Sequence, residues 1–137
     1  MSFIKGLALG ALGISFFGVG FMLSHELIHK GFMDKVIGTL DQIKVFYGHF
    51  TIEHVYGHHK RVATPADPAS APKGMTVYEF LPKSIIGSYK SSFELNSTLT
   101  IGFTICYFLF MGLIYYVFSL RGLILSFILG VGAILML

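Results

Sequence analysis

Two groups of histidines in this chain have a spacing that suits metal binding. His25 and His29 stand in "HELIHK", and His54, His58 and His59 follow in "EHVYGHH". Side chains four residues apart lie on one face of an α-helix, so His25/His29 and His54/His58 can each present two imidazoles to one point. His59 is rotated by about 100° from His58 on such a helix. We therefore expect His59 to reach a second metal rather than share the first.

The segment from His25 to His29 also satisfies H-E-x-x-H, the helical zinc-peptidase pattern. A zinc peptidase needs two helical histidines, one further ligand and the glutamate as general base, and it has no use for five histidines. Imidazole suits iron as well as zinc. Neutral ligands leave the charge of the metal uncompensated, which favours an electrophilic oxidant. A membrane zinc peptidase is therefore the least favoured interpretation.

The composition indicates a membrane protein with an all-α fold. Of the 137 residues, 54% are hydrophobic and 12% are charged, whereas soluble domains average about 25% charged residues. A span needs roughly 20 apolar residues. We predict a multi-pass transmembrane helical bundle in which residues 1–137 form a single partial domain. We expect the chain to be incomplete at its C-terminus because its last apolar run, residues 123–137, is short for a span. The predicted spans are about 6–23, 99–120 and 123–137.

Basic residues set the predicted orientation of the bundle. Eight of the ten lysines and arginines lie between the first two predicted spans, and the positive-inside rule places that loop, residues 24–98, in the cytoplasm. The metal-binding region would thus be cytoplasmic. Cys106 is the only cysteine, which excludes a disulfide framework and a thiolate site.

The loop itself divides into three predicted parts. Residues 24–60 are predicted to be mostly helical, and residues 61–74, with three prolines, an irregular strap. Residues 83–95 are predicted to form a helix at the membrane interface. Beyond the loop, Gly122 is predicted to make a tight turn between the last two spans. The alternative at that junction is one longer, kinked helix. The apolar face of the interfacial helix would hold Ile85, Ile86, Tyr89 and Phe93. Breaks in the first part are expected at Gly31, Gly38, Gly48 and Gly57.

Three longer stretches resemble one family. They are "HELIHK", "YGHFTIEHVYGHHKRVATPADPAS" and "YEFLPKSIIGSYKSSFELN". Together they are similar to the membrane-bound alkane 1-monooxygenases, which are integral-membrane di-iron hydroxylases of the fatty-acid desaturase/hydroxylase superfamily. The spacing between His54 and His58 is that of the hydroxylase group, one residue longer than in the desaturases proper.

The resemblance implies an oxidoreductase with two non-haem iron ions and a cytoplasmic site, in a membrane that we expect to be the bacterial inner membrane. It would hydroxylate the terminal methyl of a medium- or long-chain alkane with O₂, using electrons from rubredoxin and rubredoxin reductase. Membrane lipid is an expected partner, and nucleic acid is not. The iron ligands carried over are His25, His29, His54, His58 and His59.

Supporting roles are expected for further residues. Glu26 and Glu53 each stand beside a ligand histidine and could hold an imidazole in the right tautomer; His49 is expected to support the site or to pack. A group of four cations is expected to dock an acidic electron donor, because a local positive potential favours that encounter. The cations are Lys60, Arg61, Lys73 and Lys83. The alternative is that they only contact anionic lipid.

The chain departs from the family pattern because the later histidine segments, an N-Y-x-E-H-Y-G stretch and an R-H-x-x-H-H box, do not occur in it. We therefore expect this chain alone to be inactive. A related hydroxylase or desaturase acting on fatty acids or alkyl-aromatics, and an inactive fragment with a vestigial metal site, are the alternatives.

Overall fold

A computed structural model describes residues 18–134, apart from the side chain of Ala133. Every element of regular structure in that part of the chain is helical, as the all-α prediction requires. Residues 18–28 form α1. The following elements are α2 (Phe32–Lys44), α3 (Phe50–Ile52), a π-helix (Glu53–His58), α4 (His59–Arg61), α5 (Val77–Leu95) and α6 (Ser97–Ile134).

These helices belong to two compact units. The first unit holds the described residues up to Gly48 together with those from Cys106 onward, and the second is His49–Ile105. The first unit therefore carries His25 and His29. The second carries the "EHVYGHH" segment.

Gly38 marks a close approach of α1 to α2 in the first unit. A Cβ atom added to Gly38 would lie 2.7 Å from the backbone oxygen of Ser24 and 3.0 Å from Ile28 Cγ2. The predicted helix break at Gly38 is wrong, because this glycine is buried inside α2 and its missing side chain lets the two helices touch. The predicted break at Gly31 is confirmed, since Gly31 is the N-cap residue of α2.

Helix α6 folds back on itself. Ser119 interrupts it with non-helical dihedral angles, φ 60° and ψ −173°. The ring of Phe46 lies 6.4 Å from the ring of Tyr107 and 6.4 Å from the ring of Phe127. Twenty residues of straight helix would separate Tyr107 from Phe127 by about 30 Å, so the arms of α6 on either side of Ser119 must be antiparallel.

The described residues contain one helix, over Ser97–Gly132, that is long and apolar enough to cross a membrane. Its two arms overlap the segments predicted as spans at 99–120 and 123–137, and their roles as separate spans stay a prediction. The turn comes at Ser119 rather than at Gly122. Gly122 is helical, and a Cβ added there would overlap the Cβ of Phe118, so the lack of a side chain at Gly122 makes room for Phe118. Most of the predicted span 6–23, and residues 135–137, lie outside the described residues.

Helix α5 of the second unit begins six residues earlier than predicted. Thr76 and Glu79 form a capping box: the Glu79 N–H donates to Thr76 Oγ1 at 3.3 Å, and the Thr76 N–H donates to Glu79 Oε2 at 2.9 Å. This box satisfies backbone donors that a helix start leaves open. Pro82, which directly precedes the predicted start at Lys83, lies inside the helix.

The two faces of α5 have an unusual division of residue types. Its buried residues are Ser88, Ser91 and Ser92. Its apolar side chains are exposed instead: Ile86 is 57% exposed and Phe93 46%. The serine face packs inside the unit, and the predicted contact of the apolar face with the membrane interface stays a prediction.

Residues 62–76 form no helix or strand, which confirms the predicted irregular strap. The strap lies along α5. Lys83 Nζ donates to the Ser70 carbonyl oxygen at 2.7 Å, and a Cβ added to Gly87 would lie 2.6 Å from Pro68 Cβ. Gly87 therefore makes room for the strap against the helix.

Candidate metal centre

The π-helical turn determines how the second histidine group is arranged. In Glu53–His58 the backbone bonds run from residue i+5 to residue i, and the His59 N–H accordingly donates to the His54 carbonyl oxygen. This wider turn places residues five apart on the same face. The Nε2 atoms of His54 and His59 lie 3.0 Å apart.

This pairing differs from the one expected from α-helical spacing, which would bring His54 next to His58. The structure places His54 Nε2 beside His59 Nε2 instead, and which histidines share a metal stays a prediction. The rings of His54 and His58 are stacked instead, with centroids 5.2 Å apart and an interplanar angle of 19°. Phe50 stacks on the other face of the His54 ring at 4.6 Å. His54 is held between two flat rings, and His59 meets its edge.

The strap orients His58 through Asp67. Asp67 is fully buried, and its Oδ2 lies 2.8 Å from His58 Nδ1. Ser70 Oγ and the Ala69 N–H donate to the same carboxylate. Burial acts to raise the pKa of Asp67, but these hydrogen bonds and the one to His58 outweigh it, so the pKa is lowered and the carboxylate stays ionised. A carboxylate on Nδ1 leaves the lone pair of Nε2 available to a metal.

The sequence reading did not identify Asp67 as a site residue. Within the proline-rich segment, a role was predicted only for the cations Arg61 and Lys73. An acidic residue nine positions after His58, between two prolines, was the signal available. Its significance depends on the strap turning back onto the π-helix, which residue spacing does not reveal.

The first histidine group lies at the end of α1. His29 follows the last helical residue, and its N–H donates to the Glu26 carbonyl oxygen at 3.3 Å. The rings of His25 and His29 have centroids 4.9 Å apart. Glu26 Oε1 lies 3.3 Å from His25 Nδ1, the kind of contact expected of a carboxylate that orients a ligand imidazole.

Glu53 contacts an arginine and a serine. Its Oε1 lies 3.4 Å from Arg61 Nη2 and accepts from Ser91 Oγ at 3.3 Å, and its side chain is fully buried. Burial raises the pKa of Glu53, and the negative charge of Asp67 adds to this, more than the cation of Arg61 lowers it. The expected role of Glu53 in holding an imidazole stays a prediction.

His49 lies apart from the two boxes in the chain. It is buried, and burial lowers its pKa to about 4, so it is neutral at physiological pH. Its ring meets the ring of Tyr89 edge-on at 5.2 Å. Tyr89 in turn exchanges a 2.8 Å hydrogen bond with Thr104. Whether His49 supports the site or only packs stays a prediction.

The four cations expected to dock an electron donor have different surroundings. Lys60 and Lys73 are exposed. Lys83 bonds to the strap and Arg61 to Glu53 and Ser91. Of the four cations predicted to dock the donor, Lys60 and Lys73 therefore carry the solvent-exposed positive charge.

The donor set of the second unit fits a metal ion. His54 Nε2 and His59 Nε2 are in hydrogen-bond contact at 3.0 Å. Two nitrogens that each lie about 2.1 Å from one ion, at right angles around it, would have the same separation. His58 adds an imidazole already oriented by Asp67. Neutral nitrogen ligands of this kind suit iron, zinc or copper.

Comparison with known proteins decides the family. The family model described as fatty acid desaturase matches residues 3–137, almost the whole chain. The chain belongs to the fatty acid desaturase family. The recognition made from the two histidine boxes is thereby confirmed at the level of the superfamily.

Several curated relatives are named alkane 1-monooxygenase. The protein of that name from Acinetobacter baylyi is 44% identical over 95 residues, which cover 69% of this chain and 22% of the relative. Alkane 1-monooxygenase 1 of Pseudomonas aeruginosa is 36% identical over 88 residues, 64% of this chain and 23% of the relative. A xylene/toluene monooxygenase hydroxylase component from Pseudomonas putida is 31% identical over 78 residues, 55% of this chain and 21% of the relative. This chain spans about a fifth of the length of these relatives.

Proposed function

We propose that this chain is part of a membrane di-iron monooxygenase that hydroxylates the terminal methyl of medium- or long-chain alkanes. The observation that carries the proposal is the arrangement of His54, His58 and His59 on one π-helical turn, with two ring nitrogens at the separation of neighbouring metal ligands. The relatives named alkane 1-monooxygenase supply the reaction class. His25 and His29 are the other two ligands that we propose in this chain.

Bound non-haem iron would supply the activation of O₂, so that one oxygen atom enters the terminal C–H bond as a hydroxyl and the other leaves as water, with two electrons and two protons from a donor. The residues of the chain prepare that chemistry. Phe50 and the His58 ring fix the plane of His54. Asp67, which lies 2.8 Å from His58 Nδ1, would keep the proton of His58 on Nδ1 and leave the lone pair of Nε2 available to a metal. Glu26 would do the same for His25.

The proposed setting is a multi-pass bundle in the bacterial inner membrane. Residues 1–137 would form part of a di-iron hydroxylase domain, with spans over about 6–23 and over the two arms of α6, and with the metal region 24–98 on the cytoplasmic side. Exposed apolar side chains along α6 support lipid contact; Phe108 and Leu109 are both 69% exposed. In a Cys106→Ser background, the variant Lys73→Cys should react with a membrane-impermeant maleimide only after the membrane has been permeabilised. Labelling in sealed cells would overturn the orientation.

Electrons would come from rubredoxin and its reductase, with docking at Lys60 and Lys73. In a chimera that carries this segment within a full-length relative, a Lys60→Ser/Lys73→Ser variant should lower the rubredoxin-dependent rate at low salt, and the difference should vanish as the salt concentration rises. Lys90→Ser, on the exposed side of α5, is the matched control. An equal rate for all three proteins at low salt would leave contact with anionic lipid as the role of these lysines.

The reaction itself can be tested with a chimera. The 95 residues that match the Acinetobacter baylyi relative would replace the corresponding segment of that protein. We expect conversion of an alkane to the 1-alcohol with O₂ and a rubredoxin system, and none when the chimera carries His54→Ala. An intact chimera that cleaves a peptide, or that desaturates lipid without forming alcohol, would contradict the proposal.

A second substrate class has an observation in its favour. The matching hydroxylase component from Pseudomonas putida is named for xylene and toluene, so alkyl side chains on aromatic rings are the alternative substrate, and fatty acids follow from the family name. Offering the chimera an alkane, an alkylbenzene and a fatty acid in parallel separates these possibilities. Inactivity with all three would favour the inactive-fragment alternative.

A further inference from the structure

A group of three side chains, of which only that of Arg61 is partly exposed, joins the segment from Glu53 to Arg61 to α5. Glu53 begins the π-helix, Arg61 ends α4, and Ser91 lies in the buried face of α5. Arg61 Nη2 donates to Ser91 Oγ and lies 3.4 Å from Glu53 Oε1, while Ser91 Oγ donates to the same Oε1 at 3.3 Å. We call this group, Glu53, Arg61 and Ser91, the clasp.

Gly57 provides the space that the clasp occupies. A Cβ added there would lie 2.5 Å from Arg61 Nη2 and 2.8 Å from Glu53 Oε1. Carboxylate and guanidinium therefore pass directly over the middle of the π-helix. Any side chain at position 57 would push them apart.

The polar contacts within the clasp join one atom from each of its three side chains. Glu53 Oε2 and Arg61 Nε have no hydrogen-bond partner in the described part of the chain. The connection therefore depends on one guanidinium nitrogen, one carboxylate oxygen and one hydroxyl. A fully buried carboxylate requires this partnership, because an unpaired buried charge is costly.

From these contacts we propose that Glu53, Arg61 and Ser91 are positioning residues that hold the π-helical register and so keep His54 and His59 on one metal ion. A π-helix is a rare conformation that needs support from its surroundings. If the turn relaxed to α-helical spacing, His59 would rotate away from His54. The clasp links residues on both sides of the turn to a separate helix, which resists that change. This inference rests on the proposed function, since it requires a metal at the histidines.

The test is a Co²⁺ titration of the 137-residue chain in detergent. Binding is monitored through the visible absorption bands of bound Co²⁺, which depend on its coordination geometry. His54→Ala defines the signal that belongs to this site. Arg61→Met and Ser91→Ala should each weaken Co²⁺ binding roughly 10- to 100-fold, the usual effect of removing a group that orients a ligand. Lys90→Ala, an exposed cation beside Ser91, should bind as the unaltered chain does.

A double variant separates positioning from charge balance. Glu53→Gln with Arg61→Met removes both charges, so no unpaired charge is left buried and the fold should recover. We expect its helical content and melting temperature to return close to those of the unaltered chain, with Co²⁺ affinity still at least about tenfold lower. Arg61→Lys should retain more affinity than Arg61→Met, because a single ammonium nitrogen can replace Nη2.

The outcomes distinguish the two proposals. Full Co²⁺ affinity in the double variant, or in Ser91→Ala with unchanged absorption bands, would overturn the clasp while leaving the metal site standing. An unaltered chain whose Co²⁺ signal is the same as that of His54→Ala would overturn the proposed metal site and the clasp with it.

Discussion

His54 and His59 face each other across five residues, with their Nε2 atoms 3.0 Å apart, because the chain between them is wound as a π-helix. In an α-helix the pair brought together would be His54 and His58. Here those two rings stack instead, and His58 directs its Nδ1 to the buried Asp67. One turn of unusual winding therefore gives three adjacent imidazoles three different surroundings.

Asp67→Asn tests whether the strap prepares His58 for a metal. The variant keeps the size of the side chain but loses the charge that fixes the proton of His58 on Nδ1. We expect metal affinity to fall roughly 10- to 100-fold, measured by competition with a chromogenic chelator. Glu94→Gln, which neutralises an exposed carboxylate on α5, is the control. Equal affinities for the two variants would mean that Asp67 only fastens the strap.

Gly38→Ala tests the close packing of α1 against α2. Alanine normally stabilises a helix relative to glycine by about 0.5–1 kcal/mol. At Gly38 the added methyl would meet the backbone of Ser24, so we expect a loss of about 1–3 kcal/mol. The matched control is Gly102→Ala on α6, where an added Cβ meets nothing within 4 Å. A higher melting temperature for Gly38→Ala would show that the two helices do not touch there.

Thr76→Ala tests the start of α5. Losing an N-cap side chain costs about 1 kcal/mol, and faster amide exchange in the first turn of α5 should report it. Ser84→Ala on the same helix, with no capping role, should leave this exchange unchanged. Protection of the first turn in Thr76→Ala equal to that of the unaltered chain would show that α5 does not need this cap.

The same capping box predicts a pH dependence. The Thr76 N–H, and then its hydroxyl, bond to Glu79 and lower the pKa of that carboxyl. A lowered pKa means that the stabilisation is present above the ordinary pKa of glutamate and is lost as the pH falls through the folded-state value. The protection of the first-turn amides of α5, measured as their exchange rate relative to an unfolded peptide at the same pH, should therefore fall on acidification. The fall should be smaller in Thr76→Ala, which removes one of the two bonds to Glu79.

The 137-residue chain by itself should bind iron weakly and show no turnover. Five imidazoles cannot saturate two iron ions, and metal binding is coupled to formation of the folded site. Zinc or nickel should occupy the site more readily than Fe²⁺, since both stand above it in the divalent series. Metal analysis after anaerobic loading checks this. Two tightly held irons with any alkane oxidation would show that these five histidines suffice.

The sequence was most informative where a single residue type or a simple period carries the signal. The histidine boxes, the helical class and the irregular strap after Arg61 were predictable in this way. The break at Ser119 was not, because serine has no preference for φ 60° and the neighbouring Gly122 is the stronger turn signal. The start of α5 was also missed, although Thr76 and Glu79 have the spacing of a capping box.

The π-helix could not be foreseen from spacing arguments that assume 3.6 residues per turn. Its supports lie far apart in the chain, since Ser91 is 30 residues from Arg61 and Asp67 comes from the strap. Gly57 was visible in the sequence, but it was interpreted as a helix break. In the structure it leaves room for the Glu53–Arg61 contact.

The measurement that tests the account most directly is X-ray absorption at the iron edge on the anaerobically loaded chain, comparing the unaltered protein with His59→Ala and Lys90→Ala. If His54 and His59 bind one ion, the unaltered chain and Lys90→Ala should show nitrogen ligands with the outer-shell scattering of imidazole rings. His59→Ala should show fewer imidazoles per iron and at least about tenfold less bound iron at equal free metal. Equal iron and an unchanged imidazole count in His59→Ala would contradict the claim that the π-helical turn builds a metal site.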